Sequence, residues 1–151
     1  GQESVWDYPR PPAIVPDRRT VVVGDPDDPI ASSTRAIRVL ETASPPTFYL
    51  PADDVRTDRL VRADGRSFCE WKGQARYWAL ADAPGATIGW DYPEPFGEFS
   101  AIAGYFSFYP ALVECRVDGE LVRAQPGGFY GGWVTDEIVG PYKGEPGTGG
   151  W

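Results

Sequence analysis

Short β-branched or aromatic runs, each cut off by Gly, Pro or Asp, dominate the hydropathy pattern of this chain. Thr20-Val-Val-Val runs into Gly24-Asp-Pro-Asp-Asp-Pro, a strand followed by a segment with turn chemistry. Thr47-Phe-Tyr-Leu reads as another strand. Residues 30–42 (IASSTRAIRVLET) fit either strand or helix, and Pro45-Pro46 close behind them favours the extended form. Residues 67–71 and 75–80 flank Lys72-Gly73 as a hairpin with a lysine at its tip. Residues 105–109 (YFSFY) are aromatic everywhere but Ser107, which suits a strand buried on both faces. Residues 114–117 and 120–123 around Asp118-Gly119 give the clearest hairpin. Helical expectations are confined to 52–60, where acids follow Pro51, and to 97–103.

Pro9, Pro11, Pro12 and Pro16 keep residues 1–18 out of any helix, so an extended surface arm is expected there. A β-rich domain over 19–139 and a Gly/Pro-rich tail over 140–151 complete the expected division. In the stretch from Gly127, GGFYGGWV and GPYKGEPGTGGW set glycines among rings, a pattern in which rings rather than regular structure hold the chain down. One hexapeptide occurs almost twice, WDYPRP at 6–11 and WDYPEP at 90–95. Either the chain holds an internal pseudo-repeat or the match is coincidence. In extended backbone Trp and Tyr of each copy share a face. Trp6, Tyr8, Trp90 and Tyr92 would then wall a groove, unless they pack in the core.

Composition narrows the functional classes. Six Trp, eight Tyr and seven Phe among 151 residues argue against disorder despite 18 Gly and 16 Pro. The formal charge of −8 provides no basic footprint for nucleic acid and disfavours anionic membranes. With no His, the usual neutral-pH base and zinc ligand are missing. Cys69 and Cys115 lack metal-site spacing, so neither a metal nor a cofactor is expected. No apolar stretch approaches a signal or membrane-spanning segment, and the cytoplasm with both thiols reduced is the expected location. The chain also lacks Met, for which initiator removal or a tag remnant at Gly1 is the expectation.

The candidate chemistry gathers around residues 69–78, CEWKGQARYW. Cys69 near Lys72 or Arg76 has the makings of a nucleophile, although a lone Cys is commonly a small buried hydrophobe. Lys72, one of two lysines, is a candidate for holding an anionic group, with plain solvent exposure as the alternative. Arg35, Glu41 and Tyr49 lie among apolar residues, where a buried charge needs a partner. An Arg35–Glu41 pair would be structural if closed and would orient a ligand if open. The glycines at 127, 128, 131 and 132 form no phosphate loop, because no GK[ST] follows them.

Several of these elements also resemble a known family. Glu41-Thr, Pro46-x-x-Tyr49-x-Pro51, Asp54-Val55, Cys69-x-Trp71-Lys72-Gly73, Tyr77-Trp78, Trp90-x-Tyr92-Pro93, Phe108-Tyr109-Pro110 and Asp118-Gly119 are similar to the domain-of-unknown-function family four-two-seven. That family carries a nucleotidyltransferase-like label, and the tail looks like that of an actinobacterial subgroup. The resemblance covers nearly the whole chain and implies two small antiparallel sheets, comparable to β-tent domains, with no established activity. Where members often read E-T-S-H-P-P, this chain has Glu41-Thr-Ala-Ser44-Pro-Pro, so a histidine-borne role does not carry over to Ser44. The Gly-Ser followed by spaced metal-binding acids that nucleotidyl transfer uses is also missing from the sequence.

The expectation is a mainly β chain, monomeric or homodimeric, whose ring-lined pocket binds a small organic molecule. Arg35, Trp71, Lys72, Tyr77, Trp78, Trp90 and Tyr92 are the expected ligand residues. A second possibility is an enzyme of small-molecule metabolism using Lys72, Glu41, Tyr49 or Cys69. A third is a homodimeric structural module whose WDYP rings bury an interface.

Overall fold

The computed structural model describes residues 2–10, 12–69, 72–126 and 131–142. Strands dominate it, and the helical segments are short 3-10 turns. A seven-stranded antiparallel sheet runs in the order Ala13–Asp17, Ala36–Leu40, Thr47–Pro51, Tyr105–Phe108, Thr87–Asp91, Gly73–Leu80, Leu60–Cys69. A four-stranded sheet has the order Glu120–Leu121, Cys115–Val117, Val21–Asp25, Asp28–Ser33. Two short pairings complete the described part: Glu3–Ser4 parallel to Ile138–Val139, and Arg123–Ala124 antiparallel to Trp133–Val134.

One of the two expected small sheets is therefore a large one, and the reason lies in residues 105–108. Phe106 stands opposite Leu50 on one side and Asp91 on the other, so this strand welds the 36–51 strands to the 60–91 strands. An almost wholly aromatic strand has no side that tolerates solvent, and central placement between two neighbours satisfies it.

Alternation along these strands, with a register shift beside Ile88, sorts side chains into two clusters. Phe48, Leu50, Ile88, Phe106 and Phe108 project from one face and pack on Val21, Val23, Ala31, Cys115 and Val117 of the smaller sheet. Val39, Tyr49, Ala75, Trp90 and Tyr92 project from the opposite face, where Phe99 and Ile102 of the Gly97–Ile102 turn cover part of them. The expected helix at 52–60 is two 3-10 turns, Ala52–Asp54 and Thr57–Arg59. Val55 interrupts them because it bridges to Ala31 and is buried in the first cluster. The Asp118-Gly119 hairpin turns with φ of 47° and 84°, the double positive φ of a type I′ turn.

The N-terminal arm is less free than its prolines suggest. Ala13–Asp17 is an edge strand paired with Ala36–Leu40, a place where Pro16 removes no required ladder bond. Asp17 receives Arg19 at 2.7 Å and Arg38 at 3.4 Å, while Arg38 also reaches Glu3 and Arg19 reaches Glu137. This network ties the start of the chain to its last described strand.

The two WDYP copies take different backbones, which corrects the expectation that both are extended. Val5–Asp7 is a 3-10 turn, capped by Ser4 Oγ accepting from the Trp6 N–H, whereas Thr87–Asp91 is a strand. Tyr8 packs with Val5 and Ile138, and Trp90 and Tyr92 pack in the Tyr49 cluster. The two pairs of rings do not face one groove. Of the expected tail at 140–151, residues 143–151 lie outside the described residues. So do Gly127 and Gly128, while Gly131 and Gly132 are described. Among the described residues no helix is long and apolar enough to cross a membrane.

Trp133 is fully buried, stacked on Phe48 with centroids 4.8 Å apart, and its indole N–H donates to the Phe108 carbonyl at 3.0 Å. Replacing it with Ala removes a ring from the first cluster and leaves a void, so Trp133→Ala is expected to lose about 3–5 kcal/mol of stability. Urea denaturation of the two proteins measures the loss.

Candidate functional site

The site is built around a lysine that the hairpin turns inward. Gly73 follows Lys72 with φ of 101°, a conformation that favours glycine. The Phe96 N–H donates to the Lys72 carbonyl at 3.3 Å, clamping the turn to the segment after the Thr87–Asp91 strand. Lys72 is consequently 7% exposed although it sits at a hairpin tip. Its Nζ lies 5.7 Å from the centre of the Phe99 ring, donates to Glu41 Oε1 at 2.6 Å and approaches Cys69 Sγ at 3.6 Å. Solvent exposure, the plainer expectation for Lys72, is ruled out by this burial.

Beside the lysine lies a cleft of about 250 Å³ walled by Tyr49, Tyr77, Trp90, Tyr92 and Tyr109. These rings brace one another. Trp90 packs against Tyr109 at 4.5 Å, meets Tyr49 edge-on at 6.2 Å, and donates its indole N–H to Tyr49 Oη at 3.3 Å. Tyr77 donates to Ser67 Oγ at 2.7 Å. Gly131 closes one wall, and a Cβ there would overlap the Trp90 indole. An adjoining hollow of about 110 Å³ contains Glu41, Ser44 and Gln125 and shares Thr47 and Gly131 with the cleft. The Lys72–Glu41 ion pair joins the two hollows.

Burial sets the protonation of the phenols. Desolvation pushes Tyr49 and Tyr92 well above the ordinary phenol range, with the charges of Glu41 and Cys69 adding to it. Tyr109 is pushed up to about 12 by burial and by Tyr77 beside it. All three are hydrogen-bonding phenols at neutral pH.

Of the expected ligand residues, Lys72, Tyr77, Trp90 and Tyr92 line this cleft. Trp78 does not, because neighbours in a strand face opposite ways. Its ring meets Phe106 at 5.4 Å and its N–H donates to Asp91 Oδ1 at 2.8 Å, on the first-cluster side of the sheet. Arg35 is also elsewhere: its side chain is 59% exposed and pairs with Asp54 at 2.8 Å. The anticipated Arg35–Glu41 partnership is replaced by Arg35–Asp54 and Lys72–Glu41. Trp71 lies outside the described residues. The four candidate reactive groups gather here, with Cys69, Lys72 and Glu41 in sequence and Tyr49 in the wall. Cys115 is far from this chemistry in character, a buried thiol of the first cluster.

Sequence reasoning missed Tyr109, Thr47 and Gly131. Tyr109 was within reach of it, since two-residue periodicity from Tyr105 and Ser107 puts it on the Trp90 face. Gly131 carried no such signal.

Residues 13–123 match the family described as "Domain of unknown function (DUF427)", labelled NTP_transf_9. The chain belongs to this family. No curated protein matches it. The family match includes the Cys69–Lys72–Glu41 set and all five rings, Tyr49, Tyr77, Trp90, Tyr92 and Tyr109, but ends before Gly131. As for the label, nucleotidyl transfer uses acids arranged around divalent metal. Among the described residues no three or more His, Cys, Asp or Glu side chains converge in a way that suits one.

The raised phenols and thiol fix the alkaline behaviour. Tyr8, Tyr49, Tyr92, Tyr109 and Cys115 are all shifted up by burial, so the unfolded chain ionises first as pH rises. Their contribution to stability is whole below about pH 9 and declines as pH climbs through the unfolded values of about 9 to 10 toward the folded ones. Urea midpoints measured from pH 7 to 11.5 are expected to hold level and then fall, and Tyr109→Phe is expected to make the fall shallower.

Proposed function

We propose that the cleft beside Lys72 binds a small organic ligand. The observation that carries this reading is the convergence of five rings and one buried ammonium on a hollow of about 250 Å³. The opposite face of the same sheet is closed by a second layer. Ring walls with a few convergent polar groups are what small-molecule sites generally use, and this hollow lies just under their usual size range. Lys72 Nζ is held against Glu41 Oε1 at 2.6 Å, a contact that suits an electrostatic role for this side chain.

Thr47 lines both hollows, so an aromatic ring in its place narrows the cleft. Planar fragments screened by ligand-observed NMR are expected to bind the natural chain. Thr47→Phe is expected to weaken them by about ten-fold or more while holding the melting temperature within about 4 °C. Fragments that bind both proteins alike would remove the cleft as their site.

A second reading, an acid–base enzyme of small-molecule metabolism, has its own support in the Cys69–Lys72–Glu41 sequence of contacts at 3.6 and 2.6 Å. That set places a thiol, a cation and a carboxylate at the edge of one cleft.

A further inference from the structure

Three hydrogen-bond donors of the cleft have protons left over, and they specify what the ligand presents. Lys72 Nζ has three N–H groups; Glu41 takes one, and the Cys69 sulfur at 3.6 Å is a weak acceptor for another. Tyr49 is 1% exposed, and its oxygen accepts from the Trp90 indole, which leaves its own proton without an acceptor among the described residues. Tyr92 is 8% exposed, and its hydroxyl has no hydrogen-bond partner among the described residues. All three residues line the same hollow. Each has a proton free to donate into the hollow, so three on one wall amount to a preformed receptor for acceptor oxygens.

The remaining walls set the shape. Trp90 and Tyr109, packed on one another at 4.5 Å, line the hollow together, Gly131 closes it against the indole, and the small side chain of Ala75 leaves room. The volume equals about eight waters at about 30 Å³ each, enough for one substituted ring and little more. Glu41 lies across the ion pair in the adjoining hollow, so its charge is met by Lys72 before it meets an anion in the ring-lined one.

We infer that the cleft takes a small planar carboxylate, with its oxygens on Lys72, Tyr49 and Tyr92 and its plane against Trp90 and Tyr109. This rests on the ligand-site reading above and narrows it to one chemical class. The three donors act as a unit. An oxyanion accepts from all of them, a neutral alcohol meets fewer, and an ammonium is repelled by Lys72 and offers no acceptor.

Calorimetric titration of the full chain with benzoate, benzyl alcohol and benzylamine at neutral pH tests this. Benzoate is expected to bind at least about ten-fold more tightly than benzyl alcohol, and benzylamine to bind weakest. Tyr49→Phe and Tyr92→Phe each keep the ring and remove only the donor. Each is expected to weaken benzoate by about ten-fold and leave benzyl alcohol unchanged. Tyr92→Phe is further expected to leave the melting temperature level, because the hydroxyl it removes bonds no described residue. Equal affinity for the three compounds, or benzoate binding unmoved by both Phe variants, overturns the carboxylate class and leaves the ligand site standing. Failure of benzoate while neutral fragments bind overturns the class in the same way. Failure of every fragment overturns the site as well.

Discussion

The alternation of side chains across the seven-stranded sheet is the constraint on which the rest of the molecule depends. Each central strand serves two chemistries at once. In Thr47–Pro51, Phe48 and Leu50 go to the hydrophobic layer and Tyr49 goes to the cleft. In Thr87–Asp91, Trp90 goes to the cleft and Ile88 to the layer, on opposite faces although two residues apart because the register against Gly73–Leu80 shifts at this point. The pairing of Ser107 with Trp90, and of Trp90 with Tyr77, sets the cleft residues side by side on adjacent strands. A one-residue slip anywhere in this register would exchange the two sets and place Phe48 and Phe106 where the phenols now stand. The packed layer therefore fixes the register, and the register fixes the geometry of the cleft.

The burial of Lys72 is the costly element in this arrangement. Removing an ammonium from water is compensated only by a close partner, and Glu41 at 2.6 Å, with the Phe99 ring below, supplies one. Glu41 itself is about one-third exposed, so the pair is buried at one end and hydrated at the other. Such a pair is a poor source of stability. Its position between two hollows, rather than within the apolar layer, gives it a different effect, which is a fixed positive charge on one rim and a fixed negative charge on the other.

The sequence made the strands legible wherever two-residue periodicity and turn chemistry agreed, as at 47–50, 105–108 and around Asp118-Gly119. It also showed that Lys72, Tyr77, Trp90 and Tyr92 merited a common reading. The errors came from treating neighbours in sequence as neighbours in space. Tyr77 and Trp78 are adjacent letters on opposite faces, and the same rule that predicts strands forbids them a shared pocket. Arg35 and Glu41 sit close along the chain but belong to separate ion pairs, because the fold brings the Ala52–Asp54 turn, and with it Asp54, to Arg35. The WDYP copies mislead for a related reason. Ser4 caps a 3-10 turn ahead of one copy, while strand pairing on both sides holds the other extended, so identical letters fold by their surroundings.

The part of the chain beyond residue 123 changes how the family relationship is understood. The matched span, 13–123, holds every ring of the cleft and the Lys72–Glu41 pair. Yet Gly131 forms a wall against Trp90, and Gly132 donates its N–H to Gln125 at 3.2 Å in the adjoining hollow. Immediately after them Trp133 locks into the layer on the far side of the sheet through Phe48 and the Phe108 carbonyl. The anchor and the wall are thus two residues apart on one segment. Bulk at 131 is excluded by the indole, and the fully buried ring at 133 prevents the segment from moving away to admit it. The cleft's last wall is held in place by the core it does not face.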